Sequence, residues 1–154
     1  MSGGILGGAL NANNQLINNL ADPINNLDAV NLQTLKSNVS IEVYNAGENI
    51  NSHTAVVLIN NLLYAADRTN LSHYFAFVGF TLTSVVTGNV VNVQTKGVIS
   101  LAGWGLTPNA YYQLDNGSGM ITTTPPSGSG FTQVVGLAES ANSLLILKNI
   151  PILT

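Results

Sequence analysis

Cysteine is absent from this 154-residue chain, and charge is scarce. Without cysteine there is no disulfide and no thiolate metal site. Only 7% of the residues are Asp, Glu, Lys or Arg, against roughly 25% in an average globular protein. Four Lys and Arg residues cannot form the basic stripe that neutralises phosphates, which argues against a nucleic-acid partner. No apolar run reaches the roughly 18 to 20 residues of a membrane span, so no membrane role is expected. The opening MSGGILGGAL has neither the basic region nor the long apolar core of a secretory signal. Disorder is not expected either, because 45% of the residues are hydrophobic and the net charge is only −3. Asn, Ser, Thr and Gly fill the polar positions instead. A surface this poor in charge is unusual for a free monomer, so copies of the chain or a larger assembly are expected to cover much of it.

What is present is β-structure punctuated by turns. From Gly97 to Glu139, apolar runs alternate with Gly103-Trp104-Gly105, Thr107-Pro108-Asn109 and Asp115-Asn116-Gly117-Ser118-Gly119. Asn-Gly between β-formers is a hairpin signal, since both central residues accept positive φ. Pro125-Pro126 forbids a helix and stops a ladder, because neither ring nitrogen donates. The stretch therefore reads as a meander of short antiparallel strands. Upstream, Ile41–Tyr44, Thr54–Ile59, Leu62–Ala65, Tyr74–Leu82 and Val90–Thr95 read as strands. Asn60-Asn61 makes a tight turn, Asp67–His73 a polar loop and Thr87-Gly88-Asn89 a further turn. Leu144–Ile150 closes the series. Nine or ten short strands at regular spacing predict an all-β fold, a small antiparallel barrel or sandwich.

The first 37 residues read differently. Leu16, Ile17 and Leu20 stand among asparagines, and Asp22-Pro23 breaks the chain. Asp28 can cap a short helix over Ala29–Lys36, with Leu27 and Leu35 on one face. Two turns of helix do not stand alone in water and need a packing partner. The chain thus divides into an N-terminal segment, 1–37, with an extended part and one short helix, and a β-domain, 38–154.

Residues that could carry chemistry are few. His53 and His73 lack metal-ligand spacing, and the seven acids are scattered singly. Glu42 and Glu48 are the carboxylates whose approach a glycosidase pair would need, but no cluster of aromatics and acids surrounds them, and they read as solvated strand-face carboxylates. Ser127-Gly128-Ser129-Gly130 is not followed by Gly-Lys-Ser/Thr, so it is no phosphate loop. Ser118 lies between glycines without the strand-to-helix elbow of a hydrolase. No enzyme activity, cofactor or metal is expected. Trp104, Tyr111 and Tyr112 leave two readings open: they offer a surface to a partner or a glycan, or Trp104 plugs the end of the β-core.

Two resemblances add to this reading. Gly103–Gly105, Thr107–Leu114, ITTTPP at Ile121–Pro126 and VGLA at Val135–Ala138 together resemble a small β-domain of bacteriophage fibre, appendage and capsid-associated proteins. Asn109 stands where that pattern has glycine and still tolerates a left-handed turn. The second resemblance is closer. LNANNQLINNLADPINNLDA, Leu10 to Ala29, is similar to a linker of phage tail fibres that sits on a three-fold axis. Leu16 and Leu32 replace lysines of that pattern, and Thr34 replaces an aromatic. The resemblance implies a homotrimer in the virion, a short fibre or appendage joined to capsid, portal or tail proteins through its N-terminal segment. Its interface would hold Leu16, Ile17, Asn19, Leu20, Pro23, Leu27 and Leu35. A capsid decoration protein (a cement protein or head fibre) and a receptor module that binds host glycan are the alternatives.

Asparagine is poor core material unless its amides satisfy one another, as three copies near an axis can do. Asn19→Leu is therefore expected to keep or raise the melting temperature while giving mixed oligomers on size-exclusion chromatography, because a buried amide specifies register. A single clean trimer from this variant would mean that the asparagines are a solvated linker.

Overall fold

The computed structural model describes residues 40–125 and 127–154. The N-terminal helix expected behind Asp28 lies outside the described residues, as does Pro126. The described chain is all-β. Five strands close a barrel: β1 (Ser40–Ala46), β2 (Ala55–Ile59), β3 (Leu62–Ala65), β4 (Phe77–Thr81) and β5 (Val90–Lys96). Around the barrel they run β1-β3-β2-β4-β5. Every pairing is antiparallel except β1 with β3. The expected barrel is present, and the parallel pair is the departure from it. Asn60 and Asn61, at φ 50° and 64°, make the two-residue turn between β2 and β3.

A second sheet follows. It contains β6 (Val98–Ser100), β7 (Tyr111–Leu114), β8 (Ile121–Thr122), β10 (Val134–Ser140) and β11 (Ser143–Ile146). The order is β6-β11-β10-β7-β8, so two hairpins are joined edge to edge and the expected meander is corrected. The physical reason lies in β8, which is only two residues long. The chain then passes Pro125, which cannot donate to a ladder, and leaves the sheet. It returns as β9 (Phe131–Thr132), which pairs with β12 (Ile152–Leu153) near the end of the chain. These two-residue strands raise the count to twelve. Two expected strands are also shorter. The aromatic run begins its strand only at Phe77, because Phe75 takes a left-handed φ of 64°. The last long run ends at Ile146.

Two cores result, with β2 between them. Val56 joins Leu63, Val91, Val93, Ala46 and Ile50 inside the barrel. Ala55 and Val57 point the other way, into a larger core with Phe80, Leu114, Phe131 and Leu144. A strand buried on both faces reads as a continuous apolar run, and AVVLI does. In β4 the two phenylalanines are three residues apart, which simple alternation would send to opposite faces. The register shift between Val56 and Val57 against β4 restores both Phe77 and Phe80 to the larger core. Gly79 lies at this irregularity, where an added Cβ would sit 2.1 Å from the Gln94 carbonyl oxygen.

The loop after β3 ties these parts together through Arg68, which is 1% exposed. Its Nε donates to Phe131 O at 2.9 Å. Nη1 donates to Asn116 Oδ1 at 3.0 Å and, at 3.5 Å, to Ser127 O. Nη2 donates to Gly128 O at 3.2 Å and Thr154 Oγ1 at 3.1 Å. Its own carbonyl accepts from the Phe131 N–H at 3.1 Å. No carboxylate is among these partners, so carbonyl and amide dipoles solvate the charge. Planarity and five fixed donors suit guanidinium to this task, and an ammonium group could not reproduce it. Arg68→Ala is expected to lower the stability of the β-domain by about 3–5 kcal/mol, since it leaves several buried oxygens without a donor at about 1–3 kcal/mol each. Arg68→Lys should cost about 1.5–3 kcal/mol through the lost fork. Urea unfolding of both variants measures this, and a lysine variant as stable as the parent would show that charge alone suffices.

Candidate functional site

Of the residues singled out from sequence, Leu16, Ile17, Asn19, Leu20, Pro23, Leu27 and Leu35 lie outside the described residues. The other three are placed individually. Trp104 is half-buried between Gly103 and Gly105, both at φ 75°. Its ring meets Phe80 edge-on at 6.2 Å and His53 at 5.9 Å. It packs against the larger core, as the plug reading expects. Tyr112 is corrected as a contact residue. It is 7% exposed, faces the same core, and its hydroxyl accepts the Thr107 N–H at 2.9 Å. Alternation along β7 turns Tyr111 outward, where it is 60% exposed. The three aromatics therefore form no common surface patch.

The outer wall of the barrel does present an apolar surface. Alternation in β1 suggests that Ile41 and Val43 are covered and Glu42 solvated. Glu42 is indeed exposed, but so are Ile41 and Val43, Val43 by 64%, while Tyr44 and Ala46 pack toward the barrel interior. Val43 pairs with Asn92, and Asn45 pairs with both Val90 and Leu62. Val90 is 68% exposed and Leu62 is exposed as well. Across β5, β1 and β3 this places Ile41, Val43, Val90 and Leu62 on the surface, with the amides of Asn45 and Asn92 among them and Lys96 at the end of β5. Among the described residues nothing covers this face. Sequence alternation could find the strand but not which face the barrel would cover.

Glu42 sits on the other face of β1. The Tyr44 hydroxyl donates to it, and Thr95 Oγ1 does so at 3.2 Å. The bond from Tyr44 holds the Glu42 carboxyl below its usual value; burial opposes this and Thr95 assists. Burial, reinforced by the negative charge of Glu42, pushes Tyr44 up to about 12. Glu48 is engaged elsewhere, accepting the Ala65 N–H at 2.7 Å through Oε1. The two glutamates thus serve different side-chain and backbone partners.

A polar cleft of about 380 Å³ opens where the loop before β2, the loop after β3 and the turn before β8 meet. Glu48, Asn51, Tyr64, Asp67, Asn70 and His73 are among its lining. Burial pushes the Asp67 carboxyl up, but the Thr69 hydroxyl and the N–H groups of Thr69 and Gly117 outweigh it, and the group lies below its usual value. Burial pushes the His73 imidazole down against the pull of Asp67 and Glu48. The turn before β8 is held close: Gly119 N donates to Ala66 O and Gly119 O accepts from Ala55 N, at 2.9 and 3.0 Å. Gly119 is at φ 64°, and a Cβ there would lie 2.4 Å from Ala55 O. Sequence reading took 67–73 as a plain polar loop, and no local signal distinguished His73 or Arg68 within it. Among the described residues no group of three or more His, Asp, Glu or Cys side chains could hold a metal ion.

No family model matches the chain, and no curated protein matches it. The physical site therefore stands on its own geometry.

The Tyr44–Glu42 bond makes a titration prediction. A folded-state pKa raised from 10.0 to about 12 means that the native state holds the phenolic proton more tightly than the unfolded chain. The associated stability is present below pH 10 and is lost as pH rises from 10 to about 12. In a near-ultraviolet absorbance titration, Tyr44→Phe should remove the tyrosinate component that appears near pH 12. Retention of that component in the variant would assign it to another tyrosine.

Proposed function

We propose that the chain is a non-enzymatic structural protein of a bacteriophage particle: a short homotrimeric fibre or appendage attached to other virion proteins by its N-terminal segment. The observation that carries this reading is the apolar surface on the outer wall of the barrel, with Val43 and Val90 more than half exposed. A chain with 7% charged residues has little else to keep it soluble as a monomer, and covering this wall with a neighbouring copy removes the difficulty. The N-terminal likeness to a three-fold fibre linker points in the same direction and suggests three copies. The scarcity of candidate catalytic groups suits a role in architecture. Glu42 and Glu48 are tied to structural partners, which weakens the case for glycosidase chemistry.

The purified full chain is expected to be a trimer at micromolar concentration by native mass spectrometry and light scattering. Val43→Asp places a charge on the exposed wall and should shift the equilibrium to monomer with the β-type circular dichroism intact. Leu20→Ala should weaken the trimer by roughly 2–5 kcal/mol for each buried copy of the side chain. A wild-type chain that stays monomeric at these concentrations would overturn the reading. Removal of residues 1–20 should leave a folded domain that no longer joins phage particles, and normal incorporation would place the anchor elsewhere.

A further inference from the structure

The polar cleft contains a hydrogen-bond conflict at its base. His73 is 7% exposed, and its Nδ1 faces the Asp67 N–H at 3.1 Å. A backbone N–H can only donate, so Nδ1 accepts and the ring proton of the neutral imidazole is on Nε2. Nε2 in turn lies 3.2 Å from Asn70 Nδ2. The orientation of that amide is also set. Asn70 Oδ1 accepts from Ser72 N at 3.0 Å and from the Ser72 hydroxyl at 2.8 Å, which leaves Nδ2 as the donor end. Two donors therefore face each other, one on a side chain more than nine-tenths buried, and no acceptor among the described residues serves the Nε2–H. A buried donor without an acceptor is costly, and an acceptor atom placed between the two would satisfy both.

The walls restrict what can bring that acceptor. Glu48 and Asp67 line the same cleft, so an anion would meet two carboxylates. A cation would meet the two N–H groups at the base. A hydroxyl suits both sets: its oxygen accepts from His73 and Asn70, and its proton can go to a carboxylate. One oxygen of Glu48 holds the Ala65 N–H, which leaves the other for such a bond. Asn51 adds an exposed amide, and Tyr64 adds a ring for the apolar face of a cyclic ligand. A volume of about 380 Å³ falls within the roughly 300–1,000 Å³ of small-molecule sites. We propose that this cleft binds a neutral polyhydroxylated ligand, a single sugar unit, with one hydroxyl bridging His73 Nε2 and Asn70 Nδ2. The site lies within one chain and does not depend on the proposed assembly.

The test uses the full chain labelled with ¹⁵N and the methyl glycosides of glucose, galactose and mannose, with glucuronate and calcium chloride as comparators. At least one neutral glycoside is expected to shift the amide signals of Asn70, Ser72 and His73 with a dissociation constant on the order of 1 mM, and to perturb the His73 Nε2–H. Glucuronate should bind about tenfold more weakly, and calcium should leave these signals in place. Asn51→Ala and Glu48→Gln alter the ligand-facing groups, and the glutamine keeps an acceptor for the Ala65 N–H. Each is expected to weaken binding at least about threefold with the melting temperature unchanged. The proposal is overturned if none of the three glycosides shifts these signals, in which case water is the bridging acceptor. It is equally overturned if glucuronate or calcium binds there as well as a neutral glycoside does, if the shifts map to Trp104 and Tyr111, or if both variants bind like the parent.

Discussion

A guanidinium group without a carboxylate holds this domain together. Arg68 is one of four cations in the chain and is almost wholly enclosed. Removing such a charge from water is expensive, and the cost is met only if every N–H finds an oxygen in the right direction. The oxygens come from β9, from the turn before β8, from the loop between β8 and β9, and from Thr154. Distant pieces of chain must therefore be in place together. The two-residue strands β9 and β12 are too short to persist alone, and their neighbourhood is fixed by what Arg68 demands. Gly130 reflects the same constraint, since a Cβ there would lie 2.4 Å from the Arg68 carbonyl oxygen.

The double-sided burial of β2 is the apolar counterpart. A closed five-stranded barrel has a small interior, filled here by Val56, Leu63, Val91 and Val93. The second sheet adds a larger core on the far side of β2 and β4, with Phe77, Phe80, Leu114, Phe131 and Leu144. One stretch of barrel wall is thereby covered. The wall at β1 and β5 receives no such cover from the described residues, and it carries Ile41, Val43 and Val90 to the surface. Sheet packing thus sorts the barrel into a side that completes the domain and a side available to a neighbour. The polar cleft lies at a third place, where loops from barrel and sheet converge.

Much of the local structure is legible in the sequence. The Asn60-Asn61 turn, the β2 run and the Asp115–Gly119 turn follow from residue preferences that act over a few positions. The all-β class follows from the density of such turns, and the absence of thiols and basic clusters from composition alone. Sequence leaves Trp104 open as plug or contact residue; in the fold it is half-buried and packs edge-on against Phe80. Neighbouring residues in a strand point to opposite faces, and sequence does not say that Tyr112 points inward and Tyr111 outward.

What the sequence determined by itself was the kind of chain this is: short strands, tight turns, little charge and sparse material for catalysis. Tertiary structure alone decided the parallel pairing of β1 with β3, the junction of β7 with β10, the exposure of Ile41 and Val43, and the meeting of Asp67, Asn70 and His73 around one cleft. The reason is that turn and strand preferences are local energies, whereas strand partners, buried faces and unsatisfied donors are set by contacts between segments far apart in the chain. Arg68 is the clearest instance: within Ala66-Asp67-Arg68-Thr69 it looks like a solvated cation, and only the convergence of oxygens from 48 to 86 residues away makes it the centre of the domain.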